Sequence, residues 1–109
     1  MNNEAVITIN QASVDNNYIR LTDCMSMFPA DIIGGRHKGL AAKRKAKLKL
    51  YGVGDVMSDI DGEKSFFRSR GAISKFFKIN FLKNGDRVVL VKHTPYEYEL
   101  KPIRNRESA

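Results

Sequence analysis

Residues 65–91, SFFRSRGAISKFFKINFLKNGDRVVLV, restrict the fold most strongly because they predict a strand, a helix, a turn and a second strand in succession. Residues 65–70 surround a phenylalanine pair and predict a strand that Gly71 ends. Apolar side chains in residues 73–81 then recur at the three-to-four-residue spacing of an amphipathic helix. An Asn-Gly turn leads into the β-branched run of residues 87–91. We therefore expect a helix that packs against a sheet.

Short strands are also predicted in the rest of the chain. In residues 46–51, AKLKLY, strict alternation sends Ala46, Leu48 and Leu50 inward and the lysines outward. The predicted strands are residues 5–9, 18–21, 46–51, 56–60, 65–70, 87–92 and 96–101.

Turn and capping signals connect these strands. Asp61-Gly62 predicts a tight hairpin into the phenylalanine strand. A first short helix is expected at residues 23–28, or at residues 30–33 before a double glycine. The expected fold is mostly β within the α+β class. It is a seven-stranded open β-barrel, mainly antiparallel, with two short helices capping its ends.

Length and composition predict one domain, residues 1–103, with a flexible tail at residues 104–109. Cys24 is the single cysteine, which excludes an internal disulfide and favours a half-buried core position. No apolar run is long enough to span a membrane, and the polar start shows no secretion signal. The expected location is therefore the cytoplasm, without a membrane partner.

The excess positive charge lies in one segment, residues 36–49. The formal net charge is +7, and the lysines and arginines outside this segment balance the acids. A localised block of cations fits a polyanionic partner, because each neutralised phosphate releases counterions. A solvated lysine-rich face is the structural alternative. The cations are Arg36, Lys38, Lys43, Arg44, Lys45, Lys47 and Lys49.

Two further segments could read base edges. Residues 10–17, NQASVDNN, predict a polar loop whose amide side chains could pair with adenine or could simply form turns. Arg68 and Arg70 would leave the same face of a strand, and arginine can hold guanine through two hydrogen bonds. Their structural alternative is pairing with the hairpin acids Asp59, Asp61 or Glu63.

Three segments carry a family resemblance: FPADIIGG at residues 28–35, SDIDGEKSFFRSR at residues 58–70 and ISKFFKINFLKNGDRVVLV at residues 73–91. With the element order, they resemble the DNA-binding pseudobarrel superfamily. This superfamily includes plant B-three transcription-factor domains and the effector or DNA-recognition domains of restriction endonucleases. The resemblance covers nearly the whole chain. Ala72 and Ile73 stand where plant members usually have a tryptophan, so the sequence is closer to the bacterial, restriction-associated members.

The resemblance implies a wrench-like clamp that grips the major groove with two arms. One arm would be residues 11–17 with Arg20, and the other the hairpin at residues 59–64 with the arginines after it. The implied base-contacting residues are Gln11, Asn16, Asn17, Arg20, Asp61, Lys64, Arg68 and Arg70. The implied backbone-contacting residues are Arg36, Lys38, Lys43, Arg44, Lys45 and Lys47. The expected partner is double-stranded DNA in the nucleoid, with a nuclease or methyltransferase subunit or domain of a restriction-modification system as a further candidate.

Enzymatic activity is not expected. Asp86 with Glu99 and Lys101 imitates the carboxylates and lysine of metal-dependent nucleases, but Asp86 belongs to a turn and Glu99 to a strand that alternates toward solvent. His37 and His93 have no cysteine or second histidine at metal-ligand spacing. No metal or cofactor is expected.

Two other functions are compatible with the same residues. A nonspecific RNA-binding or single-strand-binding protein would use exposed aromatic rings as stacking platforms. A protein-interaction module would use the basic face to meet an acidic partner.

Overall fold

β-strands dominate the structure. The computed structural model describes residues 3–104, which form eight β-strands, two α-helices and three 3-10 helices. The strands are β1 (Glu4–Thr8), β2 (Ile33–Gly34), β3 (Ala46–Leu50), β4 (Gly54–Ser58), β5 (Ile60–Asp61), β6 (Phe66–Phe67), β7 (Arg87–Thr94) and β8 (Glu97–Ile103). The helices are α1 (Gln11–Asn16) and α2 (Arg70–Ile79), and the 3-10 helices cover Thr22–Met27, Ala30–Ile32 and Lys38–Leu40. The mostly β character and the α+β class are confirmed.

The larger sheet has five strands in the order β1-β7-β8-β3-β4. In β3 the predicted alternation is confirmed, because Ala46, Leu48 and Leu50 are buried while both lysines are exposed. The parallel register opposes Leu48 to Tyr98 and Leu50 to Leu100, so apolar side chains of neighbouring strands meet on one face. The buried side chains on this face make up most of what the five-stranded sheet contributes to the hydrophobic core.

Helix α2 covers the core through its apolar stripe. Ile73, Phe76 and Phe77 are buried, as their spacing predicts, and burial of each such side chain contributes about 1.5–3 kcal/mol. The strand predicted for residues 65–70 is wrong at its C-terminal end, because α2 already begins at Arg70 and includes Gly71. The Asn-Gly turn that follows is confirmed, with Gly85 at a φ of 94°.

The smaller sheet has the order β2-β5-β6 and contains the predicted hairpin. Strands β5 and β6 pair antiparallel, but residues 62–65 separate them, so the predicted two-residue turn is wrong. Strand β6 has two residues, and both of its phenylalanine side chains are buried. Phe67 enters the core and the ring of Phe66 stacks on Tyr18 at 4.0 Å. After Phe67 the chain leaves the sheet.

The N-terminal part differs most from the sequence prediction. The polar loop predicted for residues 10–17 is wrong, because Gln11–Asn16 form helix α1, and the side chain of Asn10 caps it by accepting a hydrogen bond from the Ser13 N–H at 2.8 Å. Within the described chain, the predicted strand at residues 18–21 is reduced to one isolated bridge between Arg20 and Phe66. Cys24 is buried rather than half-buried, and burial raises the pKa of its thiol to about 11.

The predicted barrel is not confirmed. Across residues 3–104 the strands divide into two sheets, and neither closes on itself. The mainly antiparallel pairing is confirmed, since only β2 with β5 and β3 with β8 run parallel in the described sheets. The predicted tail lies outside the described residues except for Arg104. None of the helices between residues 3 and 104 has the length and apolarity needed to cross a membrane.

Candidate nucleic-acid interface

An open cleft of about 900 Å³ lies where the basic segment meets the β5–β6 hairpin. Cations from both segments line it, and Phe66, Phe67 and Met57 contribute apolar wall. We call this site the basic cleft and define it by its cationic residues Arg36, Lys38, Lys45, Lys64, Arg68 and Arg70. The fold therefore brings together two groups of residues that lie 19 to 34 positions apart in the sequence.

Arg68 and Asp59 in the cleft lining form an ion pair with two hydrogen bonds, which we call the bracket. The Nε of Arg68 donates to Oδ1 of Asp59 at 2.7 Å, and Nη2 donates to Oδ2 at 3.0 Å. The Asp59 side chain is 2% exposed and that of Arg68 is 19% exposed. Two nearly parallel bonds of this kind are the strong, geometrically specific form of an ion pair.

The bracket also holds the basic segment in place. Arg68 donates to the carbonyls of Gly35 at 2.7 Å and His37 at 3.4 Å, and the Ala42 N–H donates to Asp59 Oδ2 at 2.7 Å. Residues 35–45 contain no β-strand in the described structure, so these bonds substitute for sheet pairing. Arg68 therefore pairs with the hairpin acid Asp59, which is the structural alternative stated above. The Arg68 guanidinium is not available to a DNA base while these bonds persist.

Ionisation of Asp59 links the bracket to pH. Burial opposes the charged form of Asp59, but hydrogen bonds from Arg68 and from the Ala42 N–H outweigh it, so the pKa of this carboxyl lies below its ordinary value. Because the folded pKa is depressed, ionised Asp59 adds stability above the unfolded pKa. That stability is lost as the pH falls through the folded pKa.

The free energy of unfolding should report this loss. We expect the difference between the wild type and Asp59→Asn, measured by urea denaturation, to be constant near neutral pH and to shrink between about pH 5 and pH 2. A difference that holds unchanged to about pH 2 would contradict the assigned ionisation.

Asp61 also serves the local structure rather than the cleft. Its Oδ1 accepts from the backbone N–H groups of Glu63 at 3.0 Å and Lys64 at 3.1 Å, and the side chain is buried. These bonds close the hairpin turn, which explains why Asp61 stands there. Lys64, three residues after Asp61, is exposed and lines the cleft.

Arg70 connects the cleft to the amide-rich segment. It is the first residue of α2, and its Nη2 donates to the backbone carbonyl of Asn16 near the end of α1. The two predicted arms are therefore in contact at this point. Arg70 and Arg68 do not share a strand face as predicted, because the chain turns into α2 between them.

The amide side chains of α1 have partners within the helix. Gln11 Nε2 donates to Asp15 at 2.9 Å, and Asn16 Nδ2 donates to the Ala12 carbonyl at 3.0 Å. Asn17 ends the helix with a φ of 58°. Gln11 and Asn16 are exposed, so a ligand could replace these surface bonds.

Seven predicted contact residues lie outside the cleft lining, namely the three amides of the α1 segment and four cations. Arg20 lines a separate hollow of about 300 Å³ beside β1 and stands 5.5 Å from the Tyr18 ring centre. Arg44 covers the Tyr96 ring at 3.6 Å, and Lys47 is 3.9 Å from Asp55. Lys43 is exposed on the same segment.

Comparisons of the chain with protein-family models, with curated proteins and with solved structures give no match. The function therefore has to be argued from the site itself.

The residues that imitate a nuclease site do not converge. In the β7–β8 register Arg87 opposes Ile103 while Val91 opposes Glu99, so Asp86 lies about 16 Å from Glu99 along the strands. Glu99 is held by His93 at 2.9 Å, and this hydrogen bond lowers the pKa of the carboxyl. Among the described residues no group of three His, Cys, Asp or Glu side chains is placed to hold a metal ion.

Sequence reasoning did not assign Gly34 to the site. The prediction used it to end a helix, whereas it belongs to β2 and its carbonyl accepts from the Gly62 N–H at 2.9 Å. A Cβ at Gly34 would lie 2.4 Å from the backbone nitrogen of Ala42 and 2.8 Å from Asp59 Oδ2. A double glycine directly before a basic loop is a signal for such a close backbone approach.

Proposed function

We propose that the protein binds double-stranded DNA in the basic cleft and recognises its sequence. The observation that supports this most directly is the gathering of six cations from two chain segments around one open cleft. The acids in its described lining, Asp59 and Asp61, are buried and engaged with Arg68 and with backbone N–H groups. The cleft lining therefore keeps a net positive charge, with six cations against two acids.

Contacts divide by position in this proposal. Arg36, Lys38 and Lys45 bind phosphates, which gives affinity without sequence information. Lys64 and Arg70 line the cleft and carry the base contacts, and the exposed amides Gln11 and Asn16 of α1 add to them, with Asn16 held by Arg70. Arg68 acts by positioning the basic segment and not by touching a base.

We also propose that the protein belongs to the pseudobarrel superfamily that its sequence resembles. An open pseudobarrel that grips the major groove would use the hairpin and α1 as its two arms, and the contact between Arg70 and Asn16 supports their placement on one side. The module would act in target recognition within a restriction-modification system in the cytoplasm. A nuclease or methyltransferase would be its partner.

Duplex DNA fits the cleft better than a single strand does. Single-strand binding relies on exposed aromatic rings on which bases stack. The aromatic residues of the cleft lining, Phe66 and Phe67, are buried. The exposed rings of Tyr51 and Phe81 are not part of that lining.

Salt dependence tests the phosphate contacts. For the Lys38→Ala, Lys45→Ala double variant, we expect the slope of log K against log salt to become shallower by about 2, because each lost contact releases about 0.9 fewer counterions. Fluorescence anisotropy with a labelled duplex measures this slope. The matched control is Lys75→Ala on α2, outside the cleft lining, which should leave the slope unchanged. Equal slopes for all three proteins would refute the site.

Sequence recognition is tested by enrichment of duplexes from a random pool. We expect a motif for the wild type and a loss of discrimination of about 1–3 kcal/mol at particular positions for Arg70→Ala. A thermal melt of this variant checks the fold, since Arg70 also holds Asn16. If no motif emerges although the wild type binds duplexes with a steep salt slope, the binding is nonspecific.

A further inference from the structure

Phe81 has a backbone conformation that its side chain does not favour. Helix α2 ends at Ile79, with Asn80 as its C-cap, and Phe81 follows with a φ of 54°. The Leu82 N–H donates to the Phe77 carbonyl at 2.9 Å, which completes a helix-terminating turn. Glycine is the usual residue at this left-handed position, since it has no Cβ to strain.

The fold makes no use of the Phe81 ring. This side chain is 84% exposed, the largest value among the exposed large apolar residues of the described chain. A bulky aromatic residue at positive φ with its ring in water is unfavourable on both counts. Such an outlier is a reason to look for a function.

Two more exposed apolar residues lie beside Phe81. Asn80 Nδ2 donates to the Tyr51 carbonyl at 2.9 Å, which joins the β3–β4 turn to the end of α2. In the same contact, Ile79 Cγ2 is 2.8 Å from where a Cβ at Gly52 would stand. Tyr51 and Ile79 are both more than half exposed. We call Tyr51, Ile79 and Phe81 the Phe81 patch.

Cations outnumber acids near the Phe81 patch. Arg104 donates to the Asn80 carbonyl at 2.7 Å, and Lys78 and Lys83 lie within three residues of Phe81 in the chain. One acid is close to them, since Asp86 Oδ2 accepts from the Lys83 N–H at 2.9 Å, whereas Asp55 is 3.9 Å from Lys47. The patch therefore combines an apolar centre with a rim of net positive charge.

We infer that the Phe81 patch docks an acidic peptide segment of another protein that inserts an apolar side chain against Phe81. An aromatic centre with a charged rim is the usual anatomy of a protein interface. A second copy of this chain is disfavoured, because an isologous contact would bring the two positive rims together. The five residues after Arg104, NRESA, offer no large apolar side chain to cover the ring.

DNA in the basic cleft would not occupy this patch. Arg70 and Ile79 are at opposite ends of α2, about 14 Å apart. The inference thus does not depend on the proposed DNA binding.

Peptide selection tests the patch. The full-length protein is used to select from a phage library of random peptides of about 12 residues, with counter-selection on Phe81→Gly. This variant should fold, because glycine suits the positive φ. We expect enriched peptides to combine net negative charge with apolar residues. Phe81→Gly should weaken a synthetic enriched peptide by about tenfold or more, and Tyr51→Ala, a second and independent variant, should weaken it as well.

A variant of the basic cleft is the control for this selection. The Lys38→Ala, Lys45→Ala variant should bind the same peptide as the wild type does, whether or not the cleft binds DNA. The inference is overturned if no peptide is enriched, if enriched peptides lack negative charge, or if Phe81→Gly and Tyr51→Ala bind them normally. If Phe81→Gly instead loses duplex affinity, the patch belongs to the nucleic-acid interface and the inference is equally wrong.

Discussion

Replacing Arg68 with alanine is expected to lower the free energy of unfolding by about 3–5 kcal/mol. The change leaves the Asp59 carboxylate, which is 2% exposed, without the cation that now stands 2.7 Å away. It also removes the donors that hold the Gly35 and His37 carbonyls. Urea denaturation followed by circular dichroism measures the loss.

Arg36→Ala is the matched control for this variant. Arg36 lines the same cleft and pairs with Glu63 at 3.4 Å, but both side chains are more than half exposed, so the change should lower stability by about 0–1 kcal/mol. The Asp59→Ala, Arg68→Ala double variant should lose less than the sum of its single changes, because no buried charge is left alone. Equal losses for Arg68→Ala and Arg36→Ala would show that the bracket is not a structural pair.

Gly34→Ala is expected to destabilise the protein by about 2–3 kcal/mol and to abolish tight duplex binding. The added methyl group would stand 2.4 Å from the backbone nitrogen of Ala42 and 2.8 Å from the backbone carbon of Ala41. Backbone atoms cannot rotate away as a flexible side chain can, so the basic segment must move off the hairpin. A urea melt and an anisotropy titration on the same sample measure both effects.

Gly39→Ala controls for the loss of a glycine in the same segment. A Cβ at Gly39 meets nothing within 4 Å, so stability and duplex affinity should stay near wild type. If Gly34→Ala matches Gly39→Ala in stability, the close approach at Gly34 is not tight in solution. If Gly34→Ala is destabilised yet binds duplexes normally, the placement of the basic segment does not matter for binding.

Local sequence patterns correctly predicted the helix and the strand that bury only one face. The spacing of Ile73, Phe76 and Phe77 predicted the buried face of α2, and the alternation of β3 predicted its orientation. The pattern failed at residues 11–17, where amides that suit a loop instead cap and support a short helix. It also failed at Arg70, because Gly71, which could end a strand, lies instead in the first turn of α2.

The sequence predicted the basic segment of the candidate site, but it did not predict what each charged residue contacts. The cations of the basic segment were recognisable because they follow one another along the chain. Whether an arginine contacts a ligand or a buried acid depends on which side chains surround it. Arg68 and Arg70 are two residues apart, yet one holds Asp59 and the other holds the Asn16 carbonyl.

The amino-acid sequence alone determined where apolar faces and positive charge lie, because both follow from the periodicity and order of neighbouring residues. Only the tertiary structure decided that the strands form two open sheets, that Asp59 neutralises Arg68, and that Phe81 stands in water. These features arise from contacts between residues far apart in the chain, and the energy of a buried charge or an exposed ring depends on those contacts.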